Sequence, residues 1–140
     1  MIVVDTNVVS ELMRSSPSEL VRKWVESQPA RELYTSAVTV AEVLYGIARL
    51  PEGRRQEQLR SAASEVFDGF AEQVLAFDAA AAGHYALMVS HRERLGMPIE
   101  GFDAQIAAIC RARGATLATR NVSDFRETGV EIVNPWDTGS

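Results

Sequence analysis

Met1-Ile2-Val3-Val4-Asp5-Thr6-Asn7 opens the chain, and its reading decides the fold. Four apolar residues in succession, two of them valine, predict a short strand buried on both faces. Doubly buried strands belong to parallel sheets covered by helices. The run ends in a carboxylate, a hydroxyl and an amide. In open α/β sheets ligands bind beyond the carboxyl ends of the strands, so Asp5 falls where such a fold places its chemistry. The plainer reading is that Asp5 and Asn7 turn the chain or cap a helix.

Outward from this stretch, strand and helix signals alternate. A short helix is expected over 8–13 and a second over 17–28, where Leu20, Val21, Trp24 and Val25 recur at helical spacing. Residues 32–35 read as a second strand. Residues 36–50 form an apolar helix, and from Leu33 to Ala48 the only charge is Glu42; a helix apolar nearly all round is expected to be buried. Residues 54–69 are amphipathic. Residues 73–77 read as a strand, and Asp78 is placed to cap a helix over 79–95 that Gly96 ends. A helix over 103–113 stops at Gly114. Strands at 115–119 and 130–133 complete the pattern. Such alternation predicts a three-layer α/β fold with a mostly parallel sheet, and 140 residues suit a single domain, 1–140.

Composition narrows the function classes. A net charge of −5 argues against a nucleic-acid coat protein, yet leaves room for a nuclease whose acids gather at a cation. Thirteen of the fourteen basic residues are arginine, a residue suited to phosphate contacts. The lone Cys110 excludes an internal disulfide and a multi-cysteine zinc site. No run approaches a membrane span, and no signal-peptide pattern stands at the N-terminus, so a cytoplasmic protein is expected.

Four acids share one property. Asp5 follows a buried strand, Glu42 interrupts an apolar helix, Asp103 begins a helix on its apolar side, and Asp124 follows the strand at 115–119. Gathered at one sheet edge they would repel one another unless a hard divalent cation neutralised them, Mg²⁺ or Mn²⁺. Taken singly, Asp103 can also be read as a helix cap and Asp124 as a polar loop residue. His84 and His91 lie seven residues apart, without a partner at ligand spacing, and Cys110 lies on a core stripe. None of these three is expected to be catalytic.

The ordered motifs are I-V-V-D-T-N at 2–7, T-x-x-E at Thr39–Glu42, F-D-A-Q-I-A-A at 102–108, T-R-N-x-x-D-F at 119–125 and N-P-W at 134–136. Together they resemble the PIN-domain ribonucleases, closely the VapC/FitB-type toxins of bacterial toxin–antitoxin pairs. The resemblance implies a PIN-like three-layer α/β/α sandwich. Asp5, Glu42 and Asp103 match the family's three core metal-site acids. Asp124 matches its more variable fourth, which in some relatives sits nearer the strand end, where this chain has Asn121. Thr6, Asn7, Thr39, Thr119 and Asn121 would orient the acids or a water.

The implied activity is Mg²⁺-dependent hydrolysis of RNA, with Mn²⁺ able to substitute, leaving a 5′-phosphate and a 3′-hydroxyl. The implied partners are an RNA substrate, a cognate VapB/FitA-like antitoxin and a second copy of the chain in a homodimer or toxin–antitoxin hetero-oligomer. An apolar groove for the antitoxin is expected on Val21, Trp24, Val25, Leu44, Leu59 and Val66. The alternatives are a PIN-like binding module without catalysis and a structure-specific DNA nuclease.

Overall fold

Val3 and Val4 are neighbours in sequence, but they point into different cores. In the computed structural model, which describes residues 1–137, Val3 joins one buried apolar cluster and Val4 the other. Leu117 and Ala118 divide in the same way. Successive side chains on a strand leave opposite faces, so the two pairs mark a sheet covered on both sides.

Strand β1 (Ile2–Val4) is the centre of that sheet. Its parallel neighbours are β2 (Leu33–Ser36) and β4 (Thr116–Ala118), with Ile2 opposite Leu33 on one side and Thr116 on the other. Strand β3 (Val74–Leu75) extends the sheet beyond β2 and β5 (Ile132–Val133) beyond β4. The order is β3-β2-β1-β4-β5, and every pairing is parallel. Connectivity runs outward in one direction from β1 and in the other from β4. The boundary between these two strands is therefore the topological switch point, where α/β sheets open a crevice.

Six helices cover the faces. Helices α1 (Thr6–Leu12), α2 (Glu19–Ser27), α3 (Ala37–Ala48) and α4 (Arg54–Phe70) supply the cluster around Val4, Val8, Val9, Val21, Val43, Ile47 and Ala63. Helices α5 (Ala79–Arg94) and α6 (Gly101–Arg113) supply most of the other, with Met88, Ile106, Ile109 and Cys110 fully buried. The Asp78 carboxylate caps α5 by accepting from the Ala81 amide, and Gly114 ends α6 in the left-handed conformation at φ 63°.

Three expectations need correction. Helix α3 is not buried all round: Leu44 is 47% and Tyr45 65% exposed, and Ala41 and Ala48 join them on a solvent-facing stripe. Its inner face is Val38, Thr39, Val43 and Ile47. An apolar composition marks both faces alike and does not say whether the chain itself covers them. Helix α6 starts two residues earlier than expected, because Glu100 rather than Asp103 is its cap. Finally, 122–125 is a short 3-10 turn rather than plain loop. No helix among the described residues is long and apolar enough to cross a membrane.

Candidate active site

Asp5 is the residue at which β1 stops. Its amide still donates to the Ala118 carbonyl at 2.9 Å, as a ladder bond, while its carboxylate turns to cap α1. Oδ1 accepts from the Thr6 amide at 2.8 Å and Oδ2 from the Thr119 hydroxyl at 2.8 Å. Thr119 follows β4, so the two strands at the switch point each contribute one partner. Asn7 closes the cluster: its amide nitrogen donates to Thr119 Oγ1 at 3.1 Å, and its Oδ1 accepts from the Arg120 amide at 3.3 Å. The Asn121 amide also donates to Thr119 Oγ1, at 3.1 Å.

Glu42 arrives from the other side. Ser36 caps α3 by accepting from the Thr39 amide at 3.1 Å, which fixes the first turn of the helix. Glu42 lies one turn further on, and its Oε1 accepts from the Thr6 hydroxyl at 2.7 Å. Thr6 Oγ1 is also 3.2 Å from Thr39 Oγ1. Thr6 thus connects α1 to α3, directly behind Asp5.

Asp103 completes the set from the first turn of α6. Together Asp5, Glu42 and Asp103 line one cavity of about 440 Å³, with Thr6, Asn7, Ser10, Glu11, Arg14, Arg120, Asn121 and Trp136 around it. Asp124 does not line it. It borders an adjoining hollow of about 230 Å³, shared with Arg92, Glu100 and Asp103. Thr39 and Thr119 are buried beneath the cavity, hydrogen-bonded to Thr6 and Asp5 respectively.

The electrostatics follow from this crowding. Asp5 is 3% exposed, and burial raises its pKa against the opposing pull of the Thr119 and Thr6 hydrogen bonds. Burial also raises Glu42, with Asp5 and Glu100 adding repulsion. Asp103 is pushed up to about 7, first by burial and then by the negative charges of Asp5, Glu100, Asp124 and Glu42. Cys110 is pushed up to about 12 by burial, which leaves an inert thiol.

Among the described residues, no three His, Cys, Asp or Glu side chains stand close enough to hold an ion as they are placed. The donor set nonetheless suits a hard cation. It is all oxygen, it is anionic beyond what the local hydrogen bonds neutralise, and Asp103 and Glu42 are only partly buried, which leaves them room to move.

Sequence reasoning missed two neighbours, Glu100 and Arg14, whereas Arg120 was readable as the base at the strand end. Glu100 reaches the site by capping α6, its carboxylate accepting from the Asp103 amide at 3.0 Å. Its spacing of three before Asp103 is the available signal. Arg14 and Arg120 both line the acid cavity, and the Arg120 guanidinium lies 5.1 Å from the centre of the Trp136 ring.

A family model for the PIN domain matches residues 2–131. The chain belongs to the PIN-domain family. Several relatives span nearly its whole length, among them the following two. The VapC ribonuclease Y4jK of Sinorhizobium fredii is 40% identical, covering 98% of this chain and 99% of the relative. Toxin FitB of Neisseria gonorrhoeae is 36% identical, covering 97% and 99%. Among solved structures, that of FitAB bound to an IR36 DNA fragment superposes with a TM-score of 0.91 at 35% identity, covering 100% of this chain and 99% of that one. The five-stranded parallel sheet with helices on both faces is thus the PIN fold, as the motifs implied. This PIN domain is of the VapC/FitB type.

Proposed function

We propose that this PIN domain is a divalent-cation-dependent endoribonuclease toxin that acts in the cytoplasm and is held inactive by a cognate VapB/FitA-like antitoxin. The observation that carries the reading is the convergence of Asp5, Glu42 and Asp103 on one cavity at the switch point of the sheet. Relatives named as a VapC ribonuclease and a FitB toxin agree with it.

The three acids divide the work. Asp5, buried and hydrogen-bonded at both oxygens, fixes the geometry. Glu42 is oriented by the Thr6 hydroxyl. Asp103 has no hydrogen bond to its carboxylate among the described residues and lines the cavity half-buried, so it is the group free to orient an attacking water and take its proton. Asp5, Glu42 and Asp103, with Asp124 beside them, would hold Mg²⁺ or Mn²⁺; when bound, the ion supplies positive charge against the phosphate and acidifies water. Arg14 and Arg120 flank the acids and receive the neighbouring phosphates of the RNA.

The antitoxin's place is a groove of about 940 Å³ between α1 and α4, lined by Leu12, Met13, Leu59, Ala62 and Val66 and equally by Arg14, Ser15, Arg55, Gln58 and Glu65. Val25 and Val66 border a smaller hollow beside it. Of the residues expected to form this surface, Leu59, Val66 and Val25 do so. Val21 is fully buried, Trp24 packs on the core, and Leu44 belongs to the exposed stripe of α3. Met13 and Leu59 continue the groove into a pocket bordered by Thr6 and Glu42. A segment seated there therefore abuts the acids. The α3 stripe is offered to a second copy of the chain, as a homodimer requires.

The test is the chemistry of the product ends. Hydrolysis by an activated water leaves 5′-phosphates, whereas attack by the RNA's own 2′-hydroxyl leaves cyclic phosphates. Ligation-based mapping of RNA cut by the antitoxin-free protein should find 5′-phosphates. Cyclic ends would refute the reading.

A further inference from the structure

Arg92 is the most deeply buried charged side chain outside the acid cavity, at 5% exposure, and it forms no ion pair with a described residue. Its partners are all main-chain carbonyls. Nε donates to Met97 at 2.7 Å, and one terminal nitrogen reaches Pro98 at 3.5 Å. The other terminal nitrogen donates to Asp124 at 2.5 Å and to Arg126 at 3.0 Å. These carbonyls belong to two separate segments. Met97 and Pro98 lie in the connection between α5 and α6, which leads into Glu100 and Asp103. Asp124 and Arg126 belong to the turn after β4. A buried guanidinium without an ion-pair partner is costly, and these four carbonyls offset it, with Glu100, Asp103 and Asp124 bordering the same small hollow.

From this geometry we infer that Arg92 is a positioning residue for the cation site. One planar fork holds the Asp124 turn at a fixed distance from the start of α6, so that Asp124 and Asp103 border one small hollow together with Arg92. The inference rests on the proposed nuclease reading and deepens it: Asp124 acts at the acid site because Arg92 sets it there. Lysine cannot replace the fork, since a single ammonium cannot span both segments with the same directionality.

The test is a double-mutant cycle read by calorimetric titration of Mn²⁺ into purified protein, with thermal melting of each variant as a separate record. Arg92→Gln should weaken Mn²⁺ binding about tenfold, the lower end of what loss of a supporting contact costs a metal site. Asp124→Asn should weaken it comparably. In the Asp124→Asn background, Arg92→Gln should add less than about twofold, because two residues that act as one unit are not additive. Arg92→Lys, which keeps the charge, should resemble Arg92→Gln in affinity.

Additive losses would overturn the inference, as would wild-type affinity in Arg92→Lys or a folded Arg92→Gln protein that binds Mn²⁺ as the wild type does. If Arg92→Gln fails to fold, the cycle is run with Arg92→Lys. Absence of Mn²⁺ binding in the wild type would instead defeat the underlying nuclease reading, and the positioning role with it.

Discussion

Asp103 bears the clearest consequence of crowding acids at one strand edge. Its pKa in the folded protein stands near 7, above the ordinary 3.8, so the folded state binds more protons than the unfolded state between those values. Stability contributed at this position therefore falls as pH rises from about 4 to 7. The expected outcome is that cation-free Asp103→Asn melts above wild type at pH 8, with the gap closing towards pH 4.5; a gap that grows on acidification would contradict it. Thr119 gives a second residue-scale prediction. Thr119→Val removes the donor to Asp5 Oδ2, pushes the Asp5 pKa further up and should lower cleavage about tenfold at pH 7, in line with a lost supporting contact at a metal site. Partial recovery at higher pH in a pH–rate profile would identify the cause. Asp5, Glu42 and Asp103 were legible in the sequence because each breaks an apolar run, where a charge needs a reason. Arg92 was not, because it stands among other polar residues, and Glu100 was not, because a charge in the Pro-Gly connection before a helix is ordinary. What distinguishes them is tertiary: a cap that meets an acid, and a buried fork between two loops.

Helix α3 shows what an element can and cannot reveal in advance. Its start was readable, since Ser36 precedes an apolar run, and the Ser36 side chain does cap the Thr39 amide. Ser36→Ala should cost about 1 kcal/mol, read as a small drop in melting temperature. It should also reduce cleavage, because the same turn sets Thr39 behind Thr6 and Glu42. The outer face of α3 was misread as core, since periodicity reports that a surface is apolar and not what covers it. The groove between α1 and α4 belongs to the same class of feature. It was expected between the helices over 17–28 and 54–69, whereas it lies between the end of α1 and α4, because Leu12 and Met13 pack there. Leu59→Glu with Val66→Glu should abolish capture of the antitoxin in a two-protein pull-down and leave RNA cleavage by the free protein near wild type. Retained capture would move the partner to another face.

At the scale of the whole molecule, the parallel order β3-β2-β1-β4-β5 turns a linear sequence into a site. Asp5 and Thr119 are far apart along the chain and adjacent in space because β1 and β4 are neighbours with their carboxyl ends together. That much was readable from strand–helix alternation. The strand order was not, because no pairing partner is written in a three-residue strand. The chain's net charge of −5 disfavours RNA as a whole, Arg14 and Arg120 stand beside the acids, and a cation bound among those acids would reverse the local sign. The most direct measurement is cleavage of total cellular RNA by purified, antitoxin-free protein, wild type against Asp103→Asn, with Mg²⁺ and with EDTA. Discrete products that require both the cation and Asp103 are expected. Cleavage that persists in EDTA, or equally in Asp103→Asn, would contradict a carboxylate–cation nuclease at this site.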